Sequence, residues 1–168
     1  MTLSRRALFL SAAALPLGAC SAEAQSIPGA ANEARYANDP WRRLTEAQWR
    51  QQLDDPMAFR VLRHEATERA GTSALNAEHR RGAYVCAGCG LTLFRSEWKF
   101  NSGTGWPSFF RIMSENVGTK EDLVLFYPRT EYHCARCLGH QGHVFDDGPA
   151  PTGLRYCNNG AALRFVPS

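Results

Sequence analysis

The chain has no apolar run long enough to cross a bilayer. The nearest to one, Ala7–Leu17, is short and broken by Pro16. Nor is there a strong excess of one charge. The formal net charge is +3, and Arg5 and Arg6 of the leader contribute to it. Without them no basic footprint is left, so nucleic acid is not expected as a partner. There is no internal repeat, and no low-complexity tract beyond one short linker. No alternation of strand and helix signals marks a βαβ unit. Cysteine is sparse but informative, with six in 168 residues. That length fits one domain plus a leader, and the ordinary hydrophobic fraction of 44% suffices for a core.

The first two dozen residues read as an export signal. Arg5 and Arg6 open a positive region ahead of the short apolar run. S-R-R-A-L-F-L resembles a twin-arginine signal, and L-G-A-C, Leu17–Cys20, resembles a lipoprotein box. On the favoured reading Cys20 becomes the lipidated first residue of a membrane-anchored lipoprotein. The alternative is cleavage after A-E-A, Ala22–Ala24, which gives a periplasmic protein. Residues 1–24 are thus assigned to the leader, 25–40 to a small, polar linker with Pro28 and Gly29, and 41–168 to the domain.

Within the domain, T-E-A-Q at Thr45–Gln48 is a capping-box pattern. Trp49 and Leu53 follow at helical spacing, which predicts a helix from Thr45 to Asp54, ended by Pro56. Met57–Arg63 is a second short candidate, and Glu65–Gly82 reads as loop. From Ala83 onward the signals change to short strands: Ala83–Cys86, Leu91–Phe94, Leu123–Tyr127, Glu131–Cys134, His143–Asp147, Leu154–Asn158 and Leu163–Val166. Gly, Pro and Asp clusters separate them, the pattern of an all-β domain.

C-A-G-C at Cys86–Cys89 and C-A-R-C at Cys134–Cys137 form two C-x-x-C knuckles. Four thiolates from two such turns suit one tetrahedral, structural zinc that ties distant parts of the chain together. Disulfides are an alternative in an exported protein. A thioredoxin-like redox pair is another, although it belongs at a strand-to-helix turn of a βαβ unit. His140 and His143 also have metal-ligand spacing, but four sulfurs already complete a tetrahedron.

Gly139–Asn159 carries the remaining chemistry. His143, Phe145 and Asp147 are two apart, and so are Arg155, Cys157 and Asn159. Residues two apart in a strand share a face. The intervening D-G-P-A-P-T-G is turn chemistry, which predicts a hairpin. One face would then gather a thiol, a guanidinium, an imidazole, a carboxylate and an amide. That is expensive for a core, because each buried polar group needs a partner. A lone cysteine is more often a small buried hydrophobe than a nucleophile. Here Arg155 on the same face would lower the Cys157 thiol pKa, and His143 offers a proton. In N-S-G-T-G-W-P-S-F, Asn101–Phe109, the glycines and Pro107 hold Trp106 on a loop. It is either a core side chain or an aromatic wall for an S-methyl group.

Taken together, G-T-G-W-P-S-F, G-H-x-G-H-V-F-x-D-G-P-x-P-T-G-x-R-Y-C-x-N and the paired C-x-x-C motifs resemble the B-type methionine sulfoxide reductases, from about Trp41 to Val166. The resemblance implies a mainly β fold of two antiparallel sheets with a few short peripheral helices and a structural zinc site. It implies reduction of the R epimer of methionine sulfoxide. It makes Cys157 the catalytic cysteine and His143 the acid, with Arg155, Asp147 and Asn159 in the polar shell. Trp106, His140 and Phe145 are placed against substrate, and Cys86, Cys89, Cys134 and Cys137 on zinc. Asp147 and Asn159 are expected to orient the imidazole and ordered water. The sequence departs from many members at Thr104, where they carry a resolving cysteine. No intramolecular disulfide is then expected, and an external thioredoxin-like thiol must recycle Cys157. Oxidised envelope proteins are the expected substrates, and a monomer the expected state.

Overall fold

The computed structural model describes residues 30–168 apart from Phe126. The leader, Cys20 and residues 25–29 of the expected linker lie outside the described residues. No helix among the described residues is long and apolar enough to cross a membrane.

Two helices lead the domain. α1 (Glu46–Gln52) starts at a reciprocal capping box between Thr45 and Gln48. α2 (Pro56–His64) begins with Pro56 in its first turn and Asp55 accepting a bond from the Met57 N–H. The proline that ends the first helix is thus the natural first residue of the second. Trp49, Phe59, Val61 and Leu62 are buried and turn the helices inward.

Nine strands follow among the described residues: β1 (Gly82–Cys86), β2 (Thr92–Arg95), β3 (Lys99–Phe100), β4 (Ser108–Phe109), β5 (Val117–Asp122), β6 (Arg129–Cys134), β7 (His140–Phe145), β8 (Arg155–Asn158) and β9 (Leu163–Pro167). They form a three-stranded sheet ordered β2-β1-β9 and a six-stranded sheet ordered β3-β4-β8-β7-β6-β5. Every pairing is antiparallel. The fold is therefore mainly β with short helices, as implied. Aromatic side chains fill the space between the sheets. Phe94 of β2 stacks on Phe109 of β4 with centroids 4.0 Å apart, and Tyr84 meets Phe109 edge-on at 4.9 Å.

Two expectations need correction. The apolar run Leu123–Tyr127 is not a strand. Its described residues form bends between β5 and β6, and Leu123, Val124, Leu125 and Tyr127 are all exposed. The strand lies just upstream in the more polar V-G-T-K-E-D of β5, which is an edge of its sheet and can afford a polar outer face. Residues 30–40 do not behave as a free linker either. Ala30–Tyr36 is a 3-10 helix docked beside β5. The Asn32 Nδ2 donates to the Ser114 and Val117 carbonyls at 2.6 and 2.9 Å, and Glu33 lies 2.9 Å from His133 Nε2.

Candidate active site and metal centre

The two C-x-x-C knuckles close on one another at a corner between the sheets. Cys86 ends β1 and Cys134 ends β6, and each is followed by a tight turn that supplies the second cysteine. The turns match: the Gly90 N–H donates to the Cys86 carbonyl and the Leu138 N–H to the Cys134 carbonyl, both at 2.9 Å. Gly90 and Leu138 both have positive φ, so the second knuckle holds a leucine where glycine is the easier residue. All four sulfurs are buried and lie within 4.8 Å of one another. The Cys86–Cys137 and Cys89–Cys134 separations are 3.6 and 3.5 Å. A disulfide needs about 2.05 Å, whereas tetrahedral thiolates about 2.3 Å from zinc stand about 3.8 Å apart. The donor set and spacing therefore fit a single metal ion. Gln141 Nε2 donates to the Cys86 sulfur at 3.5 Å, the kind of outer contact that steadies a thiolate ligand.

The second centre sits on the six-stranded sheet. β7 and β8 form the hairpin that the period-two spacing predicts, with His143 opposite Cys157 and Phe145 opposite Arg155. On its other side Cys157 is opposite Ser108 of β4. The thiol thus sits on an inner strand, half-buried, at a pocket of about 130 Å³ lined in part by Trp106, Arg129, His143, Phe145 and Cys157. Trp106 is fixed by its indole N–H, which donates to the Glu68 carbonyl at 3.0 Å. Arg155 stacks over the Phe145 ring at 4.3 Å and makes a two-pronged bond to Asp147 at 2.7 and 2.9 Å.

The electrostatics depart from the sequence expectation at two positions, His143 and Cys157. His143 Nε2 lies 2.7 Å from Asp122 Oδ2 at the end of β5, so its carboxylate partner is Asp122 and not Asp147. The Val124 backbone N–H, with further bonds from His143 and Arg129, overcomes burial and holds Asp122 at about 2. An ionised carboxylate only accepts, so Nε2 carries the proton. Burial lowers the His143 pKa, Asp122 pulls it back only in part, and Arg129 and His140 push it down further. Burial also pushes the Cys157 thiol up, against the pull of Arg155 and of a hydrogen bond with Thr104. Arg155 acts in the expected direction but does not win.

Asn159 does not reach the imidazole. Its side chain accepts from the Glu68 N–H at 3.0 Å and donates to the Gln141 carbonyl at 3.1 Å. His140 does not line the pocket. It is buried, with Nδ1 3.0 Å from Glu131 Oε1 and its ring edge-on to His143 at 5.6 Å. Glu131 feels burial first, which raises its pKa, yet His140 and Lys120 leave it lowered.

Three residues of this site carry no motif. Asp122 and Arg129 flank the apolar run Leu123–Tyr127, and pair as the last residue of β5 with the first of β6. A hairpin reading of that run would have found them. Glu68 lies in a polar loop without a signature. Its buried carboxylate accepts from the Gly160 and Ala161 N–H groups at 2.6 and 2.9 Å, pinning the chain just after β8. A groove of about 890 Å³ lies between the α1–α2 junction and residues 68–75, but neither a cysteine nor a histidine lines it.

The fold and the two centres define a mainly β domain with a four-cysteine corner that fits a metal ion and a separate thiol–imidazole pocket. Residues 55–167 match the SelR domain. The peptide methionine sulfoxide reductase MsrB of Bradyrhizobium diazoefficiens is 52% identical over 124 residues, covering 73% of this chain and 88% of the relative. That of Thiobacillus denitrificans is 51% identical over 124 residues, covering 73% and 93%. That of Methanosarcina barkeri is 48% identical over 122 residues, covering 72% and 85%. The chain belongs to the SelR domain family, the B-type methionine sulfoxide reductases.

Proposed function

We propose that this chain reduces the R epimer of methionine sulfoxide in oxidised proteins, through a Cys157 sulfenic acid that an external thiol recycles. The observation that carries the reading is the register of β7 and β8, which sets the Cys157 thiol directly opposite His143 in a pocket walled by Trp106. The names of the curated relatives support the reaction class.

Sulfoxide oxygen leaves sulfur only if it is protonated. In the resting site the thiol keeps its proton and the imidazole is neutral. Transfer of that one proton within the pair gives a thiolate and an imidazolium, with Arg155 beside the first and Asp122 beside the second. The thiolate attacks the substrate sulfur while His143 protonates the oxygen. With Nε2 held by Asp122, the proton left to give is on Nδ1. The hydroxyl then passes from the substrate sulfur to the Cys157 sulfur: the substrate S–O bond and the new sulfur–sulfur bond break, a Cys157 S–O bond forms, and methionine leaves beside Cys157 sulfenic acid. The substrate sulfur gains two electrons and Cys157 loses two. Two external thiols then return Cys157 to the thiol, forming one disulfide and one water. A thioredoxin-like protein outside the cytoplasm suits that role. Trp106 gives the substrate methyl an aromatic wall.

The four-cysteine corner holds zinc in this reading. When bound, zinc braces the fold and takes no part in the redox step. The N-terminal motifs support export and a lipid anchor at Cys20, and hence envelope proteins as substrates.

Thr104 stands where a resolving cysteine is found in many B-type reductases, and a hydroxyl cannot close a disulfide with Cys157. Oxidation by substrate alone, without a reductant, is expected to leave one added oxygen on Cys157 by peptide mass spectrometry. An internal disulfide instead would overturn the proposed recycling route.

A further inference from the structure

We infer that Leu123, Val124, Leu125 and Tyr127, exposed at the β5–β6 hairpin tip, dock the apolar residues that flank methionine sulfoxide in a partly unfolded polypeptide. The inference rests on the reductase reading above. Leu123, Val124, Leu125 and Tyr127 are 67%, 85%, 43% and 57% exposed. Four large apolar side chains are thus exposed within one short turn, and exposed apolar clusters of this kind mark contact surfaces.

The place of the tip selects the occupant. It starts directly after Asp122 and ends just before Arg129, and these two residues join at 2.5 Å. Asp122 holds His143, and Arg129 lines the pocket of Cys157. The tip is therefore continuous with the pocket wall. The pocket has roughly the volume of four liquid waters, enough for the end of one side chain. The rest of a peptide substrate must lie across the rim, and the tip is the apolar part of that rim. Methionine is usually buried among apolar neighbours. Its sulfoxide disrupts such packing, so oxidised sites reach the enzyme with apolar flanks exposed. A lipid surface fits less well. The apolar run holds no Lys or Arg, and the cations beside it are engaged, Arg129 by Asp122 and Lys120 by Glu65 and Glu131.

The test uses the full chain and three R-sulfoxide substrates: N-acetylmethionine sulfoxide amide, a peptide with Leu and Val around the sulfoxide, and the same peptide with Ser and Gly there. The chain is expected to favour the apolar peptide over the polar one by about tenfold in kcat/KM, mainly through KM, as burial of about two methylene groups would give. The variant Leu123→Ser/Val124→Ser/Leu125→Ser is expected to lose that ratio, and fluorescence anisotropy should show weaker binding of the labelled apolar peptide. An unchanged ratio in the variant overturns the docking role while leaving the reductase reading intact. Failure of the unaltered chain on all three substrates overturns the reductase reading and the docking role with it. An unchanged ratio together with tip-dependent binding to phosphatidylethanolamine–phosphatidylglycerol vesicles overturns the inference in favour of a lipid surface.

Discussion

At the scale of single residues, Asp122 decides how His143 can act. Burial pushes the imidazole toward its neutral form and the Cys157 thiol toward its protonated form. Both shifts oppose the thiolate–imidazolium pair that the proposed step needs, so that pair is a minor form of the one-proton state. The one-proton state itself spans a wide pH range. It begins at the lowered pKa of His143, below 6.5, and ends at the raised pKa of Cys157, above 9.0. The profile of kcat/KM is accordingly expected to be a broad bell with its limbs outside those two values. Asp122→Asn removes a group that raises the His143 pKa. The acid limb should move to lower pH, and the plateau should fall by about tenfold because the imidazolium is rarer. A purely structural role for Asp122 would lower the rate without moving the limb.

At the scale of elements, the β7–β8 hairpin joins the proposed nucleophile to the proposed acid, and Gly142 lets its strands approach. A Cβ there would stand 1.9 Å from the Cys157 carbonyl oxygen. Gly142→Ala must push the strands apart, with an expected cost of about 2–3 kcal/mol in urea unfolding and a lower kcat even where the variant is folded. This hairpin was legible in the sequence because polar residues two apart on both sides of a turn fall on one face only if the chain is extended on both sides. The helices were legible too, since Thr45, Gln48 and Pro56 are local signals that act within one turn. The run Leu123–Tyr127 reads as a strand for a physical reason. Apolar β-formers look alike whether a partner strand covers them or not, and only the pairing of Asp122 with Arg129 shows that the chain turns there. Asp122 and Glu68 were not legible because their partners, His143 and the N–H groups of Gly160 and Ala161, are remote in sequence. The bonds between Asp147 and Arg155 follow from the same hairpin, but the competition between Asp147 and Asp122 for His143 does not.

At the scale of the whole molecule, the four cysteines connect the ends of β1 and β6 and so tie the smaller sheet to the larger. α2 packs over the same corner, and Arg63 donates to the Cys137 carbonyl at 2.9 Å. Loss of the metal is thus expected to loosen both sheets at once. Chelation, or Cys134→Ser, should lower Tm by about 10 °C or more and abolish activity, although no cysteine of this corner lines the pocket. Elemental analysis should find one zinc per folded chain. A metal-free chain of unchanged Tm would contradict the bracing role. The family gives the reaction class, and the register of β7 and β8 brings together the residues proposed to perform it. One assay tests both together. The full chain, and the full chain with Cys157→Ser, are given peptides that carry R- or S-methionine sulfoxide, with dithiothreitol as reductant. The expected result is reduction of the R peptide alone, lost by more than about a thousandfold in Cys157→Ser. Reduction of the S peptide, or undiminished reduction of the R peptide by a folded Cys157→Ser, would contradict the assignment of reaction and nucleophile.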